Sequence, residues 1–211
     1  LGRRRRAVRQ ALGFRRTFSF VIARRFTVLL PPSLSELARH FVERIRFYPL
    51  SAGKEPVKLR AEVTYHEGGK LLAALRYGTD LPDEPKVAAL AEVALPMVQS
   101  CAAMTEWERA VTLHDALVNL GQVSHGDYDK STTAYIALVE KKGTDESYAE
   151  ALQLLYSLAG LESRVVYGRL NNSPEVPHLF NKVKVDGEWY NVSAILDDRE
   201  YPHREVVGHG H

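Results

Sequence analysis

Apolar residues in the second half of the chain recur at steps of three and four. Tyr148, Ala151, Leu152, Leu155, Leu158 and Ala159 predict an amphipathic helix, and Gly160 suits the left-handed turn that would end it. This helix is expected to be the central buried one. Trp107, Ala110, Val111, His114, Leu117 and Val118 repeat at the same spacing and predict a helix buried along that side. Its start carries Thr105 and, three residues on, Glu108, the spacing of a reciprocal cap. Upstream, Pro82 to Pro85 reads as a linker and leads into an alanine-rich helix that Pro96 should interrupt or kink.

Elsewhere the period falls to two. Val165 to Leu170 reads as a strand, Asn171 to Pro177 as a polar loop, and Asp186-Gly187 as a two-residue hairpin turn between alternating strands. Nearer the N-terminus, Phe26 to Leu30 predicts a strand that Pro31-Pro32 stops. A helix capped at Ser33 or Ser35 should then run to about Tyr48, with Leu37, Ala38, Phe41, Val42 and Ile45 as its apolar side. Lys58 to Tyr65 and Lys70 to Tyr77 read as a hairpin around Glu67-Gly68-Gly69. The predicted organisation is a basic arm over 1–25, a small α/β segment over 26–82, an α+β core over 83–198 and a tail over 199–211.

Charge sharpens this picture more than composition does. At 211 residues, 45% hydrophobic and 26% charged, the chain is an ordinary globular one, able to bury a core. The net charge of +2 conceals an asymmetry, because nine arginines precede Glu36, the first acidic residue. Beyond residue 35, 19 basic residues face 26 acidic ones. The arm, through Arg3, Arg4, Arg5 and Arg6, could meet an anionic surface such as a membrane or nucleic acid. The apolar run from Phe18 to Ala23 is too short for a signal-peptide core or a membrane span. Cys101 is the only cysteine, which rules out an internal disulfide or a cysteine metal cluster.

The hairpin turn sets a register that brings candidate chemistry together. Residues facing each other across Asp186-Gly187 have numbers summing to 373, so Phe180 lies opposite Ser193. His178 and Ser193 then become diagonal neighbours on one face. Leu179, Val183, Val185, Tyr190, Val192 and Ala194 occupy the other face, which should pack on the core.

Three stretches carry a resemblance: Gly143 to Ala151, Gly160 to Gly168, and Pro177 through Val192 to Ser193. Over roughly residues 100 to 198 the chain resembles the transglutaminase-like superfamily, most specifically from His178 to Val192. The resemblance implies a papain-like, cysteine-protease-like α+β fold with a central helix packed on an antiparallel sheet. It also implies a site in which a cysteine opens that helix, a histidine opens the hairpin and an aspartate ends it. Those positions hold Asp145, His178 and Ser193, and Phe180 stands where the family often has tryptophan.

A carboxylate is a poor acyl acceptor, and its charge repels an oxyanion formed beside the same helix amides. Ser193 can hydrogen-bond an imidazole without stabilising an imidazolium as a carboxylate would. The expectation is therefore a catalytically degenerate domain that binds a peptide, protein or cell-envelope polymer in the old cleft. The alternative is an amide hydrolase or acyl transferase with a rearranged Asp145, His178 and Ser193 site. Members of the family the chain resembles are often extracytoplasmic.

Ser147 and Cys101 are rival nucleophiles, read more simply as a helix-terminal hydrogen bond and a packed thiol. His114 reads as a structural histidine. His203, His209 and His211, with Asp197, Asp198 and Glu205 nearby, have metal-ligand chemistry, but a glycine-flanked tail argues against a built site. No phosphate-cradling motif occurs, and no cofactor or metal is expected.

Overall fold

The computed structural model describes residues 15–22, 41–49, 57–120, 122–123, 132–170 and 173–197. The chain divides into two compact units, Leu1–Pro82 and Asp83–His211. The expected strand at Phe26 to Leu30, the caps at Ser33 and Ser35, the arginines Arg3 to Arg6 and the histidine tail lie outside the described residues.

The first unit holds a three-stranded antiparallel sheet of β1 (Arg15–Ile22), β2 (Val42–Pro49) and β3 (Val57–Tyr65), in the order β1-β3-β2. It is followed by helix α1 (Glu67–Tyr77). Three expectations are corrected here. Residues 15–22, read as the end of a basic arm, pair with β3 along their whole length. Residues 42–48, read as helix, form β2, because Ile45 and Phe47 alternate with Arg44, Arg46 and Tyr48 and suit a half-buried strand.

Residues 70–77, read as the second arm of a hairpin, are helical instead. Gly68 and Gly69 are buried rather than turning at a hairpin tip. A Cβ at Gly69 would lie 2.7 Å from that of Phe41 and 3.1 Å from that of Tyr65, so glycine here permits close approach of the helix to the sheet. Lys70 through Arg76 are strong helix formers. The helix ends where Gly78 takes φ 61° and the Thr79 amide donates to the Ala74 carbonyl at 2.9 Å.

The second unit runs α2 (Pro85–Ser100), α3 (Glu106–Leu120), β4 (Gln122–Val123), α4 (Ala134–Leu138), β5 (Lys142–Gly143), α5 (Asp145–Leu158), β6 (Ser163–Leu170), β7 (Ser173–Val185), β8 (Glu188–Val192) and α6 (Ala194–Asp197). Helix α2 continues through Pro96 to Ser100 rather than stopping there. The cap of α3 forms as its spacing demands: the Glu108 amide donates to Thr105 Oγ1 at 3.3 Å, and Glu108 Oε2 accepts from the Thr105 amide at 2.9 Å.

The buried face of α3 is rotated from the expected one. Ala110, Leu113 and Leu117 are buried, whereas Trp107 and Val111 are 50% and 42% exposed. Trp107 instead meets the Tyr190 ring edge-on at 5.2 Å, a contact that keeps a large ring useful without full burial.

Helix α5 is the centre of the unit. Every residue from Ser147 to Tyr156 is buried, so it is enclosed on all sides rather than along one stripe. It packs against α2, α3, α4 and α6 and against strands β6 and β7. The sheet has the order β6-β7-β8, antiparallel throughout. Strand β7 begins at Ser173, within the segment read as a polar loop. At the hairpin, Asp186 and Gly187 take φ 50° and 90°, the left-handed pair a two-residue turn needs. The register Val185↔Glu188 through Asn181↔Val192 follows from it.

Val183 and Val185 turn inward as the alternation demands, and Asn181 stands among them, 1% exposed. Its Nδ2 donates to the Ala149 carbonyl at 2.9 Å. A buried amide with a partner fixes one register where apolar contacts alone would allow sliding.

Candidate functional site

The site is assembled where the start of α5 meets β7 and the residue following β8. Gly143, at φ 149°, ends the short β5 and brings the chain to Thr144. Ser147 Oγ then accepts from the Thr144 amide at 3.4 Å, so Ser147 serves the helix start. It is 1% exposed, and this use leaves it in the structural role expected. Asp145 is the first residue of the helix, where negative charge is favoured by the unpaired amides and the helix dipole.

The Asp145 carboxylate is held on both oxygens. Its Oδ1 accepts from the Glu146 amide at 3.0 Å and its Oδ2 from the Leu179 amide at 2.9 Å. His178 Nδ1 lies 3.5 Å from the same Oδ2, a contact of ion-pair range too long for a strong hydrogen bond. Burial pushes the Asp145 carboxyl up, but the His178 ring and the Leu179 and Glu146 amides outweigh it and hold it below the ordinary aspartate range.

On the other side of the ring, His178 Nε2 is 2.8 Å from Ser193 Oγ. The three sequence-predicted residues are therefore together, in the order Ser193, His178, Asp145, with His178 only 5% exposed. With the proton on Nδ1 facing the carboxylate, Nε2 is free to accept from the serine hydroxyl.

His178 is positioned by its own sheet. Gly168 pairs directly with it across β6 and β7. The Phe180 ring stacks toward the imidazole, with centroids 6.3 Å apart and planes 15° from parallel. A Cβ at Gly168 would fall 2.8 Å from Phe180 Cε1, so this glycine makes room for the ring that flanks the histidine. Neither role was read from the sequence. A glycine inside a strand signals a close approach, and Asn181 within the apolar alternation signals a buried polar partner.

The rival groups lie elsewhere or are already engaged. Cys101 caps α2, where Sγ donates to the Val98 carbonyl at 3.3 Å and burial pushes its thiol up. His114 sits on α3 between two carboxylates. Its Nδ1 is 2.9 Å from Asp115 Oδ1 and its Nε2 3.1 Å from Asp197 Oδ2. Burial opposes the charged ring, but Asp197 and Asp115 outweigh it and raise its pKa.

A raised folded value means that this contribution to stability is complete below the unfolded histidine value. It is lost as pH rises through the folded one. Urea unfolding between about pH 5.5 and 8 should show the native chain losing stability, and His114→Gln should flatten that decline. An unchanged slope in the variant would remove His114 as its source. Among the described residues, no group of three or more His, Cys, Asp or Glu side chains could hold a metal ion, and no helix is long and apolar enough to cross a membrane.

A buried helix that opens against a histidine-bearing hairpin, with a third polar group closing the histidine's far side, is the layout of a papain-like α+β domain. Residues 91–194 match the transglutaminase-like superfamily, and this part of the chain is a transglutaminase-like domain. Similar solved structures include a transglutaminase at 13% identity and TM-score 0.46, covering 85% of this chain and 50% of that one. A candidate cysteine protease from Cytophaga hutchinsonii is similar at 14% identity and TM-score 0.39, over 91% of this chain and 74% of the other. The periplasmic domain of TgpA from Pseudomonas aeruginosa follows at 11% and 0.40, over 72% and 63%. The chain thus spans half the length of the first of these. No curated protein sequence matches it.

Proposed function

We propose that this is a transglutaminase-like domain that has given up thiol catalysis and keeps its cleft to bind an extended peptide, protein segment or cell-envelope polymer. The observation that carries this reading is the Asp145 carboxylate, which engages the Leu179 and Glu146 amides at 2.9 and 3.0 Å. Acyl transfer would need donors such as these for a developing oxyanion. A permanent anion held there opposes a second one, and no thiol stands at the helix start.

One observation favours a second reading. Ser193, His178 and Asp145 are linked at 2.8 and 3.5 Å in the order of a nucleophile, base and orienting acid. The same arrangement would make Ser193 the nucleophile of an amide hydrolase or acyl transferase.

A screen of the native chain against amide, ester and transamidation substrates separates the two. The binding reading expects no turnover above that of His178→Ala, together with saturable binding of peptide or glycan polymers. Turnover abolished by both Ser193→Ala and His178→Ala would replace it with the second reading.

A further inference from the structure

The sheet that carries His178 continues away from the site as a short row of cations. Asn181, Val183 and Val185 of β7 are buried, and Asn181 meets α5 at the Ala149 carbonyl. The alternate residues His178, Phe180, Lys182 and Lys184 therefore line the side turned away from the body of α5. Beyond His178 that side reaches solvent: Arg164 and Asn191 are exposed, and Phe180, Lys182, Lys184 and Trp189 are partly so.

The strand register arranges this side in rows. Phe180 and Ser193 lie at the site, where Ser193 Oγ is 2.8 Å from His178 Nε2. One alternate step on, Lys182 stands between Arg164 of β6 and Asn191 of β8, and a further step on Lys184 stands beside Trp189. Lys182 and Arg164 are thus like charges directly opposite each other, an unfavourable pairing. Glu162 is the carboxylate paired with these cations, and it is shared, 3.5 Å from Arg164 Nη2 and 3.5 Å from Lys184 Nζ. Exposed pairs of that length offset little of the repulsion.

Lys182 makes no hydrogen bond or ion pair among the described residues. The other nearby acids bound the row rather than enter it. Glu188 pairs with Val185 and shares its buried face, Asp186 belongs to the turn, and Asp145 and Glu146 open α5 at the site end.

We infer that this face holds an acidic peptide segment, extended from the cleft across Lys182 and Arg164 toward Lys184. The inference rests on the reading of the cleft as a binding site and names the chemistry it selects. Alternate side chains of an extended chain repeat at about 6.7 Å, the same step that separates the rows of the sheet. A residue seated at Ser193 and Phe180 therefore sets the side chains two and four positions on above Lys182 with Arg164 and above Lys184. Carboxylates there relieve the opposed cations and give Lys182 a partner. A glycan or a base would instead need a free aromatic platform. Both rings of this face are engaged, Trp189 by the Arg164 guanidinium at 4.4 Å and Phe180 by the His178 ring at 6.3 Å.

The test is fluorescence anisotropy of the full chain with three labelled octapeptides at low salt. One alternates serine and glutamate, one alternates serine and glutamine, and the third is an isomer of the first with its glutamates in adjacent pairs. The alternating glutamate peptide should bind about tenfold tighter than the glutamine peptide and about threefold tighter than its isomer. Arg164→Gln/Lys182→Gln should erase the preference over glutamine, and Arg164→Lys/Lys182→Arg should keep most of it. Lys86→Gln/Lys141→Gln, at exposed cations elsewhere on the unit, should change it by less than about twofold. Ser193→Trp, checked for folding by circular dichroism, fills the cleft and should weaken all three peptides.

Equal affinity for the glutamate and glutamine peptides, lost in Ser193→Trp, would overturn the acidic selectivity and leave the cleft reading standing. A glutamate preference that needs Arg164 and Lys182 but ignores Ser193→Trp would keep the acidic face and overturn the cleft reading beneath it. Equal binding of the two glutamate isomers would overturn the extended register, and no binding of any peptide would overturn both readings. Tighter binding of heparin or RNA at the same salt, abolished by Arg164→Gln/Lys182→Gln, would assign the cations to a polyanion other than a peptide.

Discussion

Asp145→Cys combined with Ser193→Asp should create a reactive thiol where the native chain has none. A cysteine opening α5 would sit at the unpaired amides of a helix start and beside His178 Nδ1, which now lies 3.5 Å from Asp145 Oδ2. Both features favour a thiolate. Aspartate at 193 would replace a neutral partner 2.8 Å from His178 Nε2 with one that stabilises the imidazolium. Removing the Asp145 carboxylate also releases the Leu179 and Glu146 amides to serve an oxyanion.

The background is low, because the native thiol, Cys101, is buried and its pKa is raised. Alkylation by iodoacetamide at about pH 6 should therefore be roughly a hundredfold or more faster than in the native chain. His178→Ala in the same background should remove most of that gain. A rate no different from that of Cys101 would show that the cleft no longer has the geometry to activate a thiol. Turnover of amide substrates in the double variant would show a cleft that is intact and only disarmed.

Gly143→Ala should be the most damaging single change near the site. At φ 149° the backbone occupies a region that side-chain-bearing residues rarely adopt. The added Cβ would lie 2.7 Å from both Cβ and Oγ of Ser147. Ser147 is fully packed in the first turn of a buried helix, so neither partner can yield without moving the start of α5. Strain and overpacking together should cost roughly 2 to 4 kcal/mol, lowering the melting temperature by about 2 to 4 °C for each kcal/mol in a chain of this size. Gly78→Ala is the useful comparison. It also has positive φ, 61°, but nothing lies within 4 Å of its added Cβ. A loss at Gly143 no larger than at Gly78 would mean that Ser147 is not tightly held.

Asp145 adds a pH dependence at the acid end. Its folded value is depressed, so its contribution to stability is present above the unfolded aspartate value and disappears as pH falls through the folded one. This window lies well below the one in which His114 acts.

Much of the second unit was legible because its signals are local. Asp186-Gly187 can take the left-handed conformations of a tight hairpin turn, and once the turn is set the pairing of β7 with β8 follows without further information. The periodicity of Tyr148 through Ala159 marked α5, and Thr105 with Glu108 marked the start of α3. His178, Asp145 and Ser193 were legible as candidates from the resemblance together with the hairpin register. Their distances were not.

The first unit was misread where a short pattern fits two structures. Val42 and Ile45 can be counted at helical steps, yet Ile45 and Phe47 also alternate with arginines, and pairing on both sides of β3 decided for the strand over Val42–Pro49. Glu67-Gly68-Gly69 has turn chemistry, but Phe41 and Tyr65 need a neighbour without side chains, so the glycines became a packing surface. On α3, the sheet's edge took Trp107 and Tyr190 as a pair, and the helix rotated its buried side to Leu113.

The sequence by itself determined the superfamily, the central helix, the hairpin register and an aspartate rather than a cysteine at the helix start. These rest on turn chemistry, periodicity and residue identity, all of which act over a few positions. Tertiary structure alone decided that Asp145 engages the Leu179 amide and that Phe180 leans over Gly168 onto His178. Each of these joins residues distant along the chain, and only packing brings such residues into reach.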